Sequence, residues 1–438
     1  MNARLALAAT LLAAPLAVAD DWPHWMGPKR DNVWNETGIL DKFPKDGPKK
    51  LWSTPVKGGY SGPAVVGDKV FVTDYDKKTG ETDEGNFNRK ETSGTERVLC
   101  VDAKSGKPVW EYKYDVKYAI SYPVGPRCTP TVEGEYVYTL GAEGHLACLK
   151  VTDGSKVWAK ELKAEYKSKS PLWGYAAHPF IDGDKLITLV GGEGSHVVAF
   201  DKKTGKELWK SGTDAEPAGF GYSPVTIITA GGKRQLIVVG PSALKGLDPE
   251  TGKEYWKEKY SATSGSAIMT PVVSGDYLYF GGYSKKNILI KLGKDAPTAK
   301  TEWKDKKDHG VAAVNVQPFL QDGVVYGFDD SGIMYAVELP SGKRLWETTD
   351  LVGGDAKGSE TAFIVKNGDR FFFFTEKGDL VIGKLDKTGY TEIDRAKGLL
   401  AQTQTAFGRK VVWCQPAFAD KKMFVRNDKE LVAFDLAK

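Results

Sequence analysis

The chain has 438 residues, with 61 Lys and Arg against 57 Asp and Glu, and a formal net charge of +4. That near balance gives no compositional support for nucleic-acid binding, which needs a clustered basic surface. The length exceeds an ordinary single-domain core, so we expect either several domains or a repeat architecture.

The N-terminus has the pattern of an export signal. Arg4 supplies a positive charge, an apolar run extends from Leu5 to Leu16, and an Ala-Val-Ala triplet forms a cleavage site. We therefore predict a signal peptide at residues 1–19 and a mature chain that begins at Asp20. Because position 20 is not Cys and the apolar run is short, we expect a periplasmic or extracellular protein that is neither a lipoprotein nor membrane-anchored.

Residues 20–47 are rich in Trp, Pro and Gly and show no strand periodicity. This segment contains Trp22, Trp25 and Trp34. We predict that these rings pin the segment onto the surface or rim of the domain that follows. The alternative is an exposed aromatic patch for docking.

One phrase recurs along residues 48–438: an apolar run, an Asp, a Gly-containing turn, a basic residue and a Trp. Its copies include LCVDAKSGKPVW, VAFDKKTGKELW and LKGLDPETGKEYW. The alternating apolar residues predict a strand, and the Ser/Thr-Gly-Lys turn leads into a second strand. The repeated Trp residues are predicted to be structural packing between sheets. They are Trp52, Trp110, Trp158, Trp209, Trp256, Trp303 and Trp346.

A second phrase precedes each hairpin, with a Pro, a short apolar stretch, a Gly turn and an aromatic-rich strand. It begins at positions 63, 130, 179, 224, 271, 318, 363 and 416, where Phe363 replaces the Pro. Two hairpins make a four-stranded antiparallel blade, and eight such units predict an all-β, eight-bladed β-propeller forming a single domain at residues 48–438. The last unit stops after its third strand, so we expect the N-terminal strand around Trp52 to close the last blade.

The hairpin phrase resembles the repeat of propellers related to pyrroloquinoline quinone (PQQ) enzymes. That superfamily includes quinoprotein alcohol dehydrogenases and BamB-like proteins of the outer-membrane assembly machinery. The resemblance covers residues 48–438, and the segment DWPHWMGPKR resembles a leading motif of secreted bacterial PQQ-like propellers. It implies the fold, whereas the function has to be argued from the site.

Two features of quinoprotein dehydrogenases have no match in this chain. The resemblance would imply a vicinal Cys pair, but Cys100, Cys128, Cys148 and Cys414 are not adjacent, and we expect them to be buried fillers. It would also imply a calcium site of Glu, Asn and Asp, which has no residue-by-residue counterpart. BamB-like lipoproteins carry an acylated N-terminal Cys, which is also missing. No cofactor is therefore predicted, and PQQ with calcium remains an alternative.

That alternative has a structural requirement. It needs a carboxylate cluster in the channel mouth, formed by Glu360, Asp355 or Asp308 together with Asn315. The five histidines show no ligand spacing, so no metal site is predicted.

The position just before each Pro phrase is polar in six of eight units, and the adjoining loops are long and aromatic. Because binding residues concentrate in loops on a rigid scaffold, we predict a ligand site at the channel mouth. The predicted contact residues are Arg127, His178, Gln317 and Gln415, with Tyr60 and Trp173 as stacking surfaces. The alternative is that the polar groups only cap strand ends and bind channel water.

The first blade carries an acidic insertion at about residues 74–96. Its carboxylates are Asp74, Asp76, Glu81, Asp83 and Glu84, but their register does not fit a calcium loop. We predict a solvated, mobile loop, with partner contact as a further possibility.

These observations predict a non-catalytic periplasmic or secreted scaffold that binds protein or cell-envelope partners and acts as a monomer. Two alternatives stay open: a PQQ- and metal-dependent dehydrogenase with a diverged site, and a small-molecule or saccharide binder at the channel mouth.

Overall fold

The computed structural model describes residues 20–81, 87–212, 221–306 and 308–438. The predicted signal peptide at residues 1–19 lies outside this range, as do Asp83 and Glu84 of the acidic insertion. Within the described ranges, no helix is long and apolar enough to cross a membrane.

Eight four-stranded antiparallel sheets form the eight blades, which confirms the predicted fold. Blade 8 begins with a strand from the other end of the chain, β1 (Lys50–Pro55). The strands of blades 1 to 4 are β2 (Ala64–Val66), β3 (Lys69–Thr79), β4 (Lys90–Asp102), β5 (Pro108–Ile120), β6 (Thr131–Glu133), β7 (Tyr136–Leu140), β8 (His145–Lys150), β9 (Lys156–Glu161), β10 (Phe180–Asp182), β11 (Lys185–Leu189), β12 (Val197–Asp201), β13 (Glu207–Ser211), β14 (Thr226–Ala230), β15 (Lys233–Val239), β16 (Ala243–Leu247) and β17 (Glu254–Lys259).

The remaining blades follow the same plan. The strands of blades 5 to 8 are β18 (Val272–Ser274), β19 (Tyr277–Gly282), β20 (Lys286–Leu292), β21 (Ala299–Lys304), β22 (Phe319–Gln321), β23 (Val324–Phe328), β24 (Met334–Glu338), β25 (Arg344–Thr348), β26 (Ala362–Asn367), β27 (Arg370–Thr375), β28 (Leu380–Asp386), β29 (Gly389–Ala396), β32 (Ala417–Ala419), β33 (Lys422–Arg426) and β34 (Glu430–Asp435). The elements outside the blades are α1 (Leu162–Tyr166), the hairpin of β30 (Gln404–Ala406) and β31 (Arg409–Val411), and 3-10 turns at Thr263–Gly265 and Asp350–Val352.

The ring is closed as the sequence predicts, by pairing the first strand with the last. In this antiparallel pair of β1 and β34, Ser53 lies opposite Val432 and Thr54 opposite Leu431. Closure leaves no blade incomplete, so the sheet edge that an open ring would expose is paired.

The repeated Trp and Gly residues make one contact between neighbouring blades. The Trp158 indole N–H of blade 2 donates to Lys202 O in the next blade, 3.0 Å away. Gly205, in the same turn as Lys202, has φ +70°, and a Cβ on it would lie 2.7 Å from the Trp158 ring. The same Gly–Trp contact joins other neighbours, including Gly154 to Trp110 and Gly252 to Trp209. The phrase therefore encodes the packing of one blade on the next.

The N-terminal segment lies inside the central channel, so the predicted position on the surface or rim is wrong. The main-chain N–H of Trp22 donates to Val65 O on one innermost strand, and the main-chain N–H of Trp34 donates to Lys366 O on another. Both rings are buried, with Trp22 2% and Trp34 1% exposed. An eight-bladed ring leaves an axial space that this segment fills. We call residues 22–34 the plug.

The acidic insertion of blade 1 is largely strand, so the predicted mobile loop is wrong for its described part. β3 has 11 residues and β4 and β5 have 13 each. Asp74 is fully buried and its carboxylate accepts from the Arg97 guanidinium at 2.6 Å. Alternate residues of β4 are buried from Thr92 to Cys100, as expected for a strand with one buried face. We call the extension of these three strands beyond the blade the arm.

Candidate functional site

A cavity of about 260 Å³ lies at the mouth of the channel, the end at which the innermost strands begin. Every blade contributes at least one residue at or just before the start of its innermost strand. They are Gly62, Thr129, His178, Pro224, Met269, Gln317, Phe363 and Gln415. The site is therefore built by the whole ring rather than by one blade.

All six residues predicted for the site line this single cavity. They are Arg127, His178, Gln317, Gln415, Tyr60 and Trp173. Trp25 of the plug also lines the cavity, and it is not among the predicted residues because nothing in the sequence places the plug in the channel. Asn315 was predicted only for the calcium alternative, and Tyr283 was not predicted at all.

The walls are rich in aromatic side chains. The aromatic lining residues are Trp25, Tyr60, Phe87, Tyr122, Trp173, Tyr222, Tyr283, Phe363, Phe407 and Trp413. Two of them stand at the rim and are unusually exposed for their type: Phe87 is 56% and Phe407 39% exposed. Their ring centroids lie 6.0 Å from Trp173 and 5.9 Å from Trp413, respectively. The rim thus presents apolar surface on two sides of the opening.

Two insertions carry these rim residues. Because β3 runs antiparallel to the innermost strand of blade 1, the arm ends at the mouth, where Phe87 follows its tip. Phe407 occupies the turn between β30 and β31 with φ +49°. The second insertion is held by Glu376, whose carboxylate accepts from Arg409 Nε at 2.6 Å and from Trp413 Nε1 at 3.0 Å. Burial raises the pKa of Glu376, and the bond from Arg409 opposes that shift.

Some of the predicted polar contacts serve the scaffold. Gln317 bridges two blades, since its Oε1 accepts from Thr270 N at 2.8 Å and its Nε2 donates to Thr270 O at 3.0 Å. Gln415 Nε2 donates to Asn32 Oδ1 of the plug at 2.8 Å. Both side chains line the cavity, but their polar atoms bond to a neighbouring strand end or to the plug. This agrees with the alternative interpretation, in which the polar groups cap strand ends.

His178 is a neutral donor at the cavity floor. Its Nδ1 accepts from Thr129 N at 3.0 Å, and its ring stacks on Trp25 with centroids 4.7 Å apart. Burial, aided by the nearby Arg30 charge, lowers the pKa of His178 to about 3. Because Nδ1 accepts, the neutral ring carries its proton on Nε2, where it is a donor.

Between pH 7 and pH 5, the free energy of unfolding of the parent protein is expected to fall by about 2 kcal/mol more than that of H178Q. Gln is chosen because it keeps an acceptor for Thr129. The unfolded histidine titrates near pH 6.5, whereas the folded one stays neutral down to about pH 3. The unfolded state therefore binds more protons below pH 6.5, and the free energy of unfolding falls by about 1.4 kcal/mol per pH unit. Urea unfolding at pH 7 and pH 5 measures this. Equal acid losses in the two proteins would contradict a neutral, buried His178.

Arg127 is the charged residue of the cavity lining. Its guanidinium donates to the main-chain oxygens of Ser121 at 2.9 Å and Tyr122 at 2.6 Å, and also to Gly125 O. The same group lies over the Tyr60 ring, 5.1 Å from its centroid. A guanidinium has five N–H donors, so two remain without a partner in the described part of the chain.

Two buried polar atoms among the lining residues have no hydrogen-bond partner among the described residues. They are the Tyr60 hydroxyl and Asn315 Nδ2. A buried polar group that loses its bond to water costs about 1–3 kcal/mol. These two residues therefore differ from Gln317, whose amide oxygen and nitrogen both bond to Thr270.

Tyr60 and Tyr175 form a matched pair for testing that difference. The Tyr175 hydroxyl donates to Val190 O at 3.0 Å, so we expect Y175F to lower the free energy of unfolding by about 1 kcal/mol. Y60F removes an unbonded hydroxyl and is expected to leave that free energy unchanged or to raise it. Denaturant unfolding of both variants checks this. A loss in Y60F as large as that in Y175F would show that the Tyr60 hydroxyl is bonded after all.

The lining does not fit calcium-bound PQQ. Calcium takes six to eight oxygen ligands and favours carboxylates, yet no Asp or Glu belongs to the described cavity lining. Asn315 lines the cavity, but Asp355 and Asp308 do not. Glu360 is also outside the lining, where it pairs with Lys377 at 3.1 Å. The cluster that the dehydrogenase alternative requires is therefore not assembled.

An eight-bladed ring built from this Trp–Gly repeat is a PQQ-like propeller. The family model described as outer membrane protein assembly factor BamB matches residues 94–348, more than half of the chain. The protein belongs to that family.

Similar proteins span nearly the same length. BamB of Shewanella oneidensis is 23% identical over 415 residues, and BamB of Xanthomonas campestris is 26% identical over 414 residues. The alignments cover 87% of both chains in the first case, and 89% of this chain and 86% of the relative in the second.

Solved structures share the fold. The crystal structure of BamB from Moraxella catarrhalis matches with a TM-score of 0.57 and 18% identity, over 88% of this chain and 97% of that one. Quinohemoprotein alcohol dehydrogenase from Comamonas testosteroni matches with a TM-score of 0.60 and 12% identity, over 95% and 80%. At these identities the likeness concerns the fold alone.

Proposed function

We propose that the protein is an exported, non-catalytic scaffold that binds a cell-envelope protein through the mouth of its propeller. The observation that carries the proposal is the pair of rim residues Phe87 and Phe407. Large side chains exposed to this degree around an aromatic cavity are typical of an interaction site. Two separate insertions bring them there, although neither insertion is needed to complete a blade.

The family supports the class of partner. The relatives carry the name of an outer-membrane protein assembly factor, and we propose the same kind of role here, with the protein acting as a monomeric subunit among other envelope proteins. The described cavity lining contains no carboxylate, which argues against the alternative of a calcium-dependent dehydrogenase.

Site-specific photo-cross-linking in intact cells tests the proposal. A photoreactive residue at position 407 is expected to form a discrete protein adduct with an envelope protein. The matched control is position 208, because Leu208 is 48% exposed but lies on the outer strand of blade 3. The same adduct from both positions, or none from position 407, would contradict recognition at the mouth.

A further inference from the structure

We infer that the mouth cavity binds a carboxylate carried on a large apolar group, either the C-terminal residue of a partner polypeptide or a free aromatic acid. This inference rests on the proposed function, since it names the chemistry that the same site recognises.

Hydrogen-bond donors surround the cavity. Arg127 keeps two N–H groups without a partner, and His178 presents its Nε2–H, for which no described residue is an acceptor. The Tyr60 hydroxyl and Asn315 Nδ2 are buried and unbonded. A carboxylate is acceptor-only, so its chemistry matches a lining whose unpartnered groups, such as those of Arg127 and His178, are donors. A cationic ligand is a donor and would leave the N–H groups of Arg127, His178 and Asn315 without an acceptor.

The arginines around the cavity are positively charged, which is the sign that suits an anionic ligand. Arg127 bonds only to main-chain oxygens, and so does Arg30 of the plug, whose Nη2 donates to Pro179 O beside His178. Arg30 Nη1 is buried without a partner. Two carboxylates bonded to residues of the mouth region already have partners, since Glu376 pairs with Arg409 and Asp428 accepts from Gly59 N at 3.1 Å. A positive charge that is partly removed from water attracts an anion more strongly than the same charge in water.

The walls and the volume of the cavity restrict the chemical group to which the carboxylate is attached. The rings of Trp25, Trp173 and Trp413 offer apolar faces rather than further polar partners. Ligand pockets commonly span roughly 300–1,000 Å³, so a cavity of about 260 Å³ suits a group of one aromatic residue. A polyanion or a polyol would leave charges or hydroxyls against rings that cannot bond them.

The test compares three probes by calorimetry and by the fluorescence of the cavity tryptophans. They are an acetylated tripeptide ending in Phe with a free carboxylate, the same peptide with a C-terminal amide, and 3-phenylpropanoate. The free-acid peptide is expected to bind at least about tenfold more tightly than the amide, because hydrogen bonds to a charged group carry that much affinity. If 3-phenylpropanoate binds as well as the acid peptide, the source is a free acid, and the inferred chemistry still holds.

Variants identify the residues that cause the preference for the acid over the amide. R127Q is expected to bring acid and amide affinities to within about twofold, and N315L to weaken acid binding without lowering the unfolding midpoint. R234Q removes the same charge at a half-exposed position on blade 4 and should leave the preference intact. Equal binding of acid and amide, or no binding of any probe, would overturn the inference. The cross-linking experiment at position 407 tests the proposed function independently of these titrations.

Discussion

Replacing Trp34 by Ala is expected to lower the free energy of unfolding by about 3–5 kcal/mol, the usual cost of emptying a buried aromatic site. The ring lies 5.5 Å from Phe372 and 5.0 Å from Phe418, on blades 7 and 8. Its Nε1 donates to Glu36 at 2.7 Å. The plug is therefore part of the hydrophobic core rather than an appendage. Urea unfolding followed by circular dichroism measures the loss.

Trp25 on the same plug is the matched control. It is only partly buried and its main ring contact is the stack on His178, so W25A should cost much less stability than W34A. Because Trp25 lines the cavity, W25A should instead weaken ligand binding. A loss below 1 kcal/mol in W34A, or equal losses in both variants, would show that the plug does not contribute to the core.

Replacing Gly205 by Ala is expected to cost about 2–5 kcal/mol. A left-handed conformation costs a residue with Cβ about 1–2 kcal/mol, and the new methyl group would collide with Trp158, adding about 1–3 kcal/mol of overpacking. Gly183 separates the two causes. It has φ +58° in the same blade, but a Cβ there would have no neighbour within 4 Å.

G183A should therefore show only the smaller, conformational cost. Thermal or urea unfolding of the two variants gives the difference, which measures the contact between blades. If G205A and G183A lose the same free energy of unfolding, the contact with Trp158 adds nothing measurable. The recurring Gly would then be explained by the conformation of the turn alone.

The blades could be predicted because each repeat carries its own contacts with the next. The Gly of one turn and the Trp of the preceding blade are both visible in the sequence, and their spacing is set by the blade. The mouth could be predicted for a similar reason, since the residue before each innermost strand is placed by the strand itself. This is why His178 and Gln317 fall in one cavity.

Other features depend on contacts that no local pattern encodes. The plug has no periodicity, and Trp34 meets Phe372 across more than 300 positions of sequence. The arm contains the alternation of a strand, but the acidic residues around Asp74 were interpreted as a solvated loop. The bond of Gln317 to Thr270 joins neighbouring blades, so only the structure separates its role from that of the unbonded Asn315.

The most direct test of the central claim, a binding scaffold rather than a quinoprotein enzyme, is calorimetric titration of the folded protein with PQQ, with and without calcium. The cavity lining offers no carboxylate for calcium, so we expect no calcium-dependent heat and no dye-linked alcohol oxidation afterwards. Calcium-dependent binding at micromolar affinity or better would contradict the account and make the protein a cofactor-dependent dehydrogenase with an unrecognised site.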